Sequence, residues 1–372
     1  MRWIALPAGI LVLAVTLLDV FSTLVMPRSS RRRIRLTRLL FLATWRPWRW
    51  LGVRMNTLER RERMLAVAAP LFFFILLVSW AGLTVVGYGL VLWSPAFVHG
   101  VHGQGAGQFL TSLYFSGSSL FTIGFGDIVA TGATRGIVIV EGATGLGLVA
   151  VVIAYLPVLY QAFNRREVGV LFLDARAGSP PSGPELLRRT GGDGLAGDLP
   201  ELFREWERWS ADVLETHLSY PLLAYYRSQH TNQSWLAALT TVLDASALVM
   251  VGVEGACARQ ARLTFAMARH AVVDLAQVFR TPPAVPAEDR LPHAVLARLR
   301  QELRTAGLPL AEGAVVEGRL AELRRLYEPY AIALSAYLLQ PLPAWHQPDR
   351  RRDNWETSAW TREEAREDDL SA

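Results

Sequence analysis

Three long apolar stretches constrain this chain more than any other feature of its sequence. They run from Trp3 to Met26, from about Met64 to Trp93 and from about Gly136 to Phe163. Crossing roughly 30 Å of hydrocarbon takes about 20 apolar residues in an α-helix. Each stretch is long enough, so we predict three transmembrane helices. A cleaved signal peptide is the alternative for the first stretch, but its apolar run is long for one and no small-residue cleavage site separates it from Pro27.

The composition agrees with a membrane protein and excludes two other classes. Hydrophobic residues make up 51% of the chain, charged residues 19%, and the mean hydropathy is +0.23. This apolar content is too high for an intrinsically disordered protein. The chain has one cysteine, so it cannot be a disulfide-rich secreted protein.

The arginines predict how the chain is oriented in the membrane. All 38 basic residues are arginine, and 12 of them lie in the segment 27–63, between the first two apolar stretches. Arg165 and Arg166 follow the third stretch. Because the cytoplasmic flanks of membrane helices are rich in basic residues, both regions are expected inside. We therefore predict a multi-pass protein of the plasma (inner) membrane, with its N-terminus outside and its C-terminus in the cytoplasm.

The basic segment 27–63 interleaves aromatic and basic side chains. Its tryptophans are Trp45, Trp48 and Trp50, and the arginines between them are Arg46 and Arg49. Both side-chain types settle in the headgroup zone of a bilayer, so we predict an interfacial helix that contacts anionic lipid. A solvated basic loop is the alternative. Arg32, Arg35 and Arg38 recur at every third position as in a voltage-sensing helix, but only one span precedes them to shield their charges.

The segment between the second and third spans is too short to cross the membrane. Its apolar, hydroxyl-rich part, Gln108 to Phe121, would measure about 21 Å as a helix. Residues 122–127 follow with the sequence TIGFGD, and a polar turn comes next. A glycine-rich, non-helical segment at membrane depth leaves carbonyl groups unpaired, which is tolerated where they line a cavity or bind a ligand. We therefore predict a re-entrant helix and a cation-binding loop.

This order of outer helix, short re-entrant helix, T-x-G-[YF]-G-D and inner helix resembles the pore module of tetrameric potassium channels, over residues 64–164. The resemblance implies a K⁺ selectivity filter whose main-chain oxygens replace the hydration shell of the ion. It assigns ion-binding carbonyls to Thr122, Ile123, Gly124, Phe125 and Gly126, and the threonine hydroxyl to the innermost site. Asp127 is then at the pore mouth. One filter cannot surround an ion, so a homotetramer is implied, with no cofactor beyond the permeant K⁺.

Two residues depart from the commoner pattern of that family. Phe125 replaces a tyrosine whose hydroxyl can bond to the pore helix, and Phe121 stands where many members have a threonine. A weakly selective cation channel is therefore an alternative to a potassium-selective one. A non-conducting, membrane-anchored helical scaffold or receptor is a third reading, suggested by the large tail.

Polar residues behind the filter are candidates for supporting it. Ser118 and Ser119, with Ser116, offer hydroxyl groups on the re-entrant helix, and Glu141 lies about two turns into the third span. An ionisable residue inside a span suggests a function and a partner, and the serines are within reach. The alternative is that the hydroxyls satisfy carbonyls of their own helix. Asp19, in the first span, is expected to pair with the basic segment.

The third span holds residues that can bend it. Gly145 or Gly147 lies near its middle, where the family has a hinge glycine, and Pro157 removes a helix hydrogen bond near the cytoplasmic end. Close packing of neighbouring helices against the glycines is an equal alternative. A second VGYG, Val86 to Gly89, lacks the threonine and follows a full-length span, so it is predicted to be a helix end and not a filter.

The tail is predicted to be an all-α cytoplasmic domain. Residues 165–372 carry 24 arginines against 28 acidic residues, whereas residues 1–164 carry 14 against five. A short strand is predicted from Val168 to Leu173, followed by helices near 198–217, 218–228, 234–253, 255–280, 291–306 and 311–340. The apolar segment 235–252 holds Asp244 and is predicted to be a core helix, with a fourth span as the alternative.

No motif in the tail indicates enzyme chemistry. Gly192, Gly194 and Gly197 form a G-x-G-x-x-G, but no strand leads into it, so a dinucleotide site is not expected. The seven histidines are scattered, without metal-ligand spacing. We therefore expect a non-enzyme without a nucleic-acid partner, whose tail responds to a regulator that the sequence does not identify.

The fold class that follows is an all-α membrane protein, with three transmembrane helices, a re-entrant pore helix and a filter, and then an all-α cytoplasmic domain. The predicted order is an N-terminal helix (1–26), the basic segment (27–63), a pore module (64–164), a helical domain (165–340) and a loosely ordered tail (341–372). Within the pore module, the pore helix is predicted at 108–121, the filter at 122–127 and the inner helix at 136–163.

Overall fold

Where the structure describes it, the chain is almost entirely helical. The computed structural model describes residues 2–26, 36–191, 198–230, 232–252, 256–286, 288–346 and 353–356. Regular structure in these ranges is helical apart from two strands of three residues each. The chain is thus an all-α membrane protein, as its sequence predicts. It divides into two compact units, Met1–Trp48 with Val67–Gln161, and Arg49–Ala66 with Ala162–Ala372.

The three predicted spans form long apolar helices. Helix α1 is Arg2–Val20 and continues with π-helical geometry through Phe21–Val25, α3 is Leu58–Trp93, and α5 is Thr134–Ala177. All three are long and apolar enough to cross a bilayer. Helix α3 begins before the predicted span, and α5 continues past the predicted end at Phe163.

Short elements fill the segment between α3 and α5. A 3-10 turn at Val98–Gly100 leads into β1, Val101–Gly103, which is followed by helix α4, Phe109–Leu120, and by β2, Ile128–Ala130. The two strands pair antiparallel, with Val101 opposite Ala130 and Gly103 opposite Ile128. A small apolar core under this hairpin contains Leu92, Val101, Phe115 and Ile128.

The second VGYG lies inside the last turns of α3, as predicted, and Gly87, Tyr88 and Gly89 contact other helices. A Cβ atom on Gly87 would lie 2.7 Å from a Leu13 carbon on α1, and one on Gly89 would lie 3.2 Å from Leu113 on α4. The Tyr88 hydroxyl is 2.9 Å from the Thr144 hydroxyl on α5. These glycines permit close helix approach, which is their common role in membrane bundles.

Asp19 is buried near the end of α1 and is held by several donors. It accepts hydrogen bonds from the Thr37 backbone N–H (3.1 Å), the Thr37 hydroxyl (2.5 Å) and the Trp80 indole N–H (2.9 Å). Thr37 belongs to the basic segment, so Asp19 does bind that segment. The partner described there is a threonine, whereas residues 27–35, with Arg32 and Arg35, lie outside the described residues.

The described part of the basic segment is helix α2, Leu36–Arg54. Trp45 is buried, whereas Trp50 is exposed and stacks against the Arg54 guanidinium at 3.5 Å from the ring centroid. The predicted interfacial helix is therefore a helix, not a loop. The contact of α2 with anionic lipid stays a prediction.

The second unit is built mainly from helices that follow α5. They are α6 (Gly183–Thr190), α7 (Asp198–Ser219), α8 (Trp235–Gly252), α9 (Ala256–Phe279), α10 (His293–Thr305), α11 (Ala314–Arg325) and α12 (Glu328–Leu338). Helix α8 lies at the centre, packed against α6, α7, α9, α11 and α12.

The predicted strand at Val168 to Leu173 is wrong, because this segment is the continuation of α5. Val170, Leu173 and Ala177 are fully buried, at spacings of three and four residues, while Val168 and Phe172 are exposed. Such a spacing places one apolar stripe on a helix. Two β-branched residues suggested a strand, but no neighbouring strand pairs with them in the described part of the chain.

Helix α8 is a core helix, although its length and composition would also allow a membrane span. Of the most apolar stretch of α8, 83% is buried inside the protein, against 11% of the corresponding stretch of α5. Its buried Asp244 carboxylate is bonded to the Arg290 guanidinium at 2.9 Å and accepts a hydrogen bond from the Tyr327 hydroxyl. A buried charge is tolerable only when it is paired in this way.

Two other predictions differ from the structure at proline residues. The predicted helix 218–228 is a 3-10 turn, Pro221–Tyr225, because the residue before a proline avoids helical geometry. The predicted helix 311–340 is split into α11 and α12, with Pro329 in the first turn of α12.

Helix α6 was not predicted. Its start signal is the N-cap residue Ser182, whose hydroxyl accepts a hydrogen bond from the Glu185 N–H.

The expectation of a loosely ordered stretch from residue 341 also differs from what is described. Trp345 is buried, and the buried Asp353 carboxylate binds the Arg189 guanidinium at 2.6 Å and the Ser179 backbone N–H at 3.2 Å. The parts 341–346 and 353–356 are therefore packed on the second unit.

A buried ionic cluster lies where α5 meets α7 in the second unit. The Arg166 guanidinium is fully buried, donates to Glu167 (2.8 Å) and to the carbonyl of Leu223 (2.7 Å), and lies 3.4 Å from His217 Nε2. His217 Nδ1 is 2.8 Å from the Val213 carbonyl, so Nδ1 carries the proton and Nε2 accepts from Arg166. Burial, and then the Arg166 charge, lowers the pKa of His217 to about 3.

This pKa predicts acid sensitivity of the second unit. An unfolded histidine binds a proton below about pH 6.5, while folded His217 stays neutral until about pH 3, so stability falls as the pH drops through this window. Between pH 7 and pH 5 the expected loss is about 2 kcal/mol. Thermal unfolding in detergent at the two pH values measures it. His217→Asn, which cannot titrate, should show a smaller difference between them, and an equal difference would contradict the assignment.

Candidate functional site

Helix α4 enters the site and ends at the start of the predicted filter. It spans Phe109–Leu120, close to the predicted pore helix, and at about 1.5 Å per residue it is too short to cross a bilayer. Ser112, Phe115 and Ser116 are on its buried side. Phe121 follows it as a largely exposed side chain.

The sign of the backbone angle φ alternates along the filter. The φ angles are +56° at Thr122, +60° at Gly124 and +80° at Gly126, whereas Ile123 and Phe125 have ordinary negative values. Alternation of this kind turns successive carbonyl groups toward the same side of the chain. Glycine adopts positive φ without strain, but a β-branched threonine at such a φ costs on the order of 1–3 kcal/mol. A positive φ at Thr122 was not predicted from the sequence.

The end of α4 holds the amide groups of the filter. The Thr122 N–H donates to the Ser119 carbonyl at 3.1 Å, and the Ile123 and Gly124 N–H groups donate to the Ser118 carbonyl at 2.8 and 3.4 Å. Within the described residues, no donor reaches a carbonyl oxygen of residues 122–126. The first three filter amides thus donate to the end of α4, while the filter carbonyl groups have no donor among the described residues.

The predicted supporting serines act differently from one another. Ser118 contributes its main-chain carbonyl to the filter amides, as described above. The Ser119 hydroxyl donates to the Phe115 carbonyl of its own helix at 2.8 Å, which matches the alternative that these hydroxyls satisfy helix carbonyls. Sequence reasoning placed both in hydroxyl roles and did not consider the carbonyl of Ser118.

Tyr114 on α4 is a site residue that the sequence reasoning missed. Its ring stacks on Phe125 with the ring centroids 6.0 Å apart and the planes 10° apart, and its hydroxyl donates to Asp127 at 3.1 Å. Phe125 lacks a hydroxyl of its own. Tyr114 therefore connects α4 to the last part of the filter, because it stacks on Phe125 and donates a hydrogen bond to Asp127. An aromatic residue two turns before the filter was the available signal.

Glu141 on α5 lies behind the same helix, fully buried. Its Oε1 atom contacts the Ser116 hydroxyl, which is also 2.9 Å from the Val85 carbonyl on α3. Its Oε2 atom is buried without a partner among the described residues. The serine partner that the sequence predicted for Glu141 is thus Ser116, not Ser118 or Ser119.

The predicted hinge residues of α5 have unequal surroundings. A Cβ atom on Gly145 would overlap the Leu120 carbonyl oxygen at the end of α4, whereas one on Gly147 would meet nothing within 4 Å. Gly145 is therefore a packing glycine beneath the filter. Pro157 lies inside α5, and the helix continues past it to Ala177.

The fold and this site define an all-α membrane protein with an ion-channel domain. Residues 71–161 match a family model described as an ion channel. The chain is also 24% identical, over 304 residues, to the "Uncharacterized membrane protein YdjJ" of Bacillus subtilis (strain 168). That alignment covers 81% of this chain and 84% of the relative. No solved structure matches the chain. These similarities support an ion channel and a membrane location.

Gly145 and Gly147 form a matched pair for testing the packing beneath the filter. Gly145→Ala should lower stability by about 1–3 kcal/mol, the usual cost of overpacking, because the Leu120 carbonyl belongs to backbone that cannot move aside easily. Gly147→Ala should stay within about 0.5 kcal/mol of the parent protein. Thermal unfolding of both variants in one detergent measures the difference. Equal midpoints would contradict the packing role.

Proposed function

We propose that the protein is a potassium-selective channel that conducts K⁺ passively through a homotetrameric pore. The observation that carries this proposal is the filter backbone, where φ is positive at Thr122, Gly124 and Gly126 and the carbonyl groups of residues 122–126 accept no described hydrogen bond. A row of carbonyl oxygens facing one side is suited to a dehydrated cation. The ion-channel similarity of residues 71–161 covers this whole segment.

Four copies are proposed because one filter presents its oxygens from one side only. Residues 121–127 are exposed in the single chain, as a surface lining a shared axis must be before assembly. A cyclic arrangement of four chains would place four oxygens around each ion position. Thr122 to Gly126 would then bind K⁺, and Asp127, held by Tyr114, would attract cations at the outer mouth.

Orientation and lipid contacts complete the proposal. The N-terminus and the filter mouth are proposed to face outside and the second unit to face the cytoplasm, following the positions of the arginines. Helix α2 is proposed to lie at the membrane surface near anionic lipid. Gating by a standard voltage sensor is not part of the proposal, and the tail is proposed to respond to a regulator not yet identified.

Ion flux into liposomes tests conduction. Reconstituted protein should pass K⁺ in preference to Na⁺, with block by Ba²⁺. Gly124→Ala should reduce K⁺ flux at least tenfold, because a side chain and a strained φ are introduced into the filter. Gly132→Ala is the matched control, since Gly132 has a φ of +57° against +60° at Gly124 and equally open surroundings, but lies in the turn after β2.

The same measurements separate the alternatives. Equal flux through the Gly124 and Gly132 variants would contradict the filter assignment. A reversal potential near zero in opposing K⁺ and Na⁺ gradients would favour a weakly selective channel, which the exposed Phe121 and the phenylalanine at position 125 suggest. Folded protein that purifies without fourfold symmetry and without flux would favour a scaffold.

Cysteine labelling tests the orientation. The native Cys257 is buried, so it should react little with a membrane-impermeant maleimide. His102→Cys, at an exposed position in β1, should be labelled on intact cells. Glu201→Cys, at an exposed position in α7, should be labelled only after permeabilisation. The reverse pattern would overturn the proposed orientation, and a Cys257→Ser background controls for the native thiol.

A further inference from the structure

The contact between Ser116 and Glu141 cannot be completed by the serine alone. Ser116 Oγ is within hydrogen-bonding distance of two acceptors, the Val85 carbonyl at 2.9 Å and Glu141 Oε1. A serine hydroxyl carries a single proton, so it can donate to only one of them. An ionised carboxylate offers no proton for the second contact. Both contacts are hydrogen bonds when Glu141 is a carboxylic acid that donates to Ser116 Oγ, while the Ser116 hydroxyl donates to the Val85 carbonyl.

The surroundings of Glu141 contain nothing that would stabilise an ionised form. The side chain is fully buried, its Oε2 atom has no partner, and no cation pairs with it among the described residues. A buried carboxylate in a membrane span needs a cation or several donors. The neutral acid needs neither.

The titratable groups on the packed helices have other partners. Tyr88 on α3 bonds to Thr144, one turn along α5 from Glu141. Tyr114 on α4 bonds to Asp127 at the filter mouth. Arg135, the basic residue at the start of α5, donates to the Ala130 carbonyl. None of these side chains is described in contact with Glu141.

The protonated bridge joins the helices that surround the filter. It runs from α5 through Glu141 to Ser116 on α4 and on to the Val85 carbonyl on α3. Ser116 is two residues before Ser118, whose carbonyl holds the Ile123 and Gly124 amides. A shift of α4 at Ser116 would therefore be transmitted to the Ser118 carbonyl, which accepts the hydrogen bonds of these filter amides.

We propose that Glu141 is a positioning residue which carries a proton and which, through Ser116, holds α4 in the register that keeps the filter in its conducting geometry. The proposal rests on the proposed function, because conduction is one of its readouts. Loss of the proton would leave two acceptors, the Val85 carbonyl and Glu141 Oε1, competing for one serine proton, and an uncompensated charge behind the filter. Conduction should accordingly decrease when a rise in pH ionises Glu141.

Three variants separate a proton bridge from simple packing. Glu141→Gln keeps an N–H donor toward Ser116 but cannot ionise, so it should retain most of the flux and lose the decrease with rising pH. Glu141→Ala removes the donor and should reduce K⁺ flux at least tenfold. Ser112→Ala is the control, because Ser112 is an equally buried serine one turn earlier on α4 that bonds only to its own helix, at the Gln108 carbonyl. It should conduct like the parent protein, with the same pH profile.

Infrared spectroscopy provides a readout that does not depend on conduction. The parent protein at neutral pH should show the carbonyl stretch of a buried protonated carboxylic acid, and Glu141→Gln should lack it. Absence of that band in the parent protein would overturn the proposal, as would equal loss of flux in Glu141→Gln and Glu141→Ala. If the parent protein shows the band but conducts no ions, the proposed channel function fails while the protonation of Glu141 stands.

Discussion

The hydrogen bonds between the end of α4 and the filter amides are the interaction on which the site depends. Two carbonyls, those of Ser118 and Ser119, bind three consecutive N–H groups, and among the described residues no protein donor reaches the filter carbonyls. A helix end normally has unpaired carbonyls to satisfy, and a loop at membrane depth has unpaired amides. Here each supplies what the other lacks. The strained φ of Thr122 persists because these bonds hold Thr122 and the two residues that follow it.

The rest of the first unit keeps α4 in position. The Leu120 carbonyl rests against Gly145 of α5, where no side chain would fit, and Leu113 packs on Gly89 of α3. The hairpin of β1 and β2 holds the outer end of the filter, because Ile128 both pairs with Gly103 and packs in the small apolar core with Phe115. These contacts on the buried face of α4 explain how a helix of three turns can be held in place.

Sequence reasoning succeeded where chain length and local pattern decide the outcome, and it was wrong where a tertiary contact decides. The spans, α4 and the core helix α8 were predicted because their length and apolar pattern are local properties, although α3 begins earlier and α5 ends later than predicted. Val168 to Leu173 was assigned to a strand because the burial of Val170 and Leu173 on one helical face cannot be known without the helices that cover them. Helix α6 was missed although the S-x-x-E pattern of Ser182 and Glu185, which indicates a helix start, is visible in the sequence. Tyr114 was missed because its two contacts join residues 11 and 13 positions away.

The sequence by itself determined that the chain enters a membrane, that a helix too short to cross it precedes TIGFGD, and that VGYG at residues 86–89 is not a second filter. These conclusions follow from length, hydropathy and glycine spacing, which are local properties. Only the tertiary structure decided that Gly145 packs beneath the filter while Gly147 is free, that Ser118 acts through its carbonyl, and that Glu141 meets Ser116 and Val85 together. Each of these depends on which groups from distant segments come within a few ångströms of one another. Such distances are set by tertiary packing and cannot be read from the order of the residues.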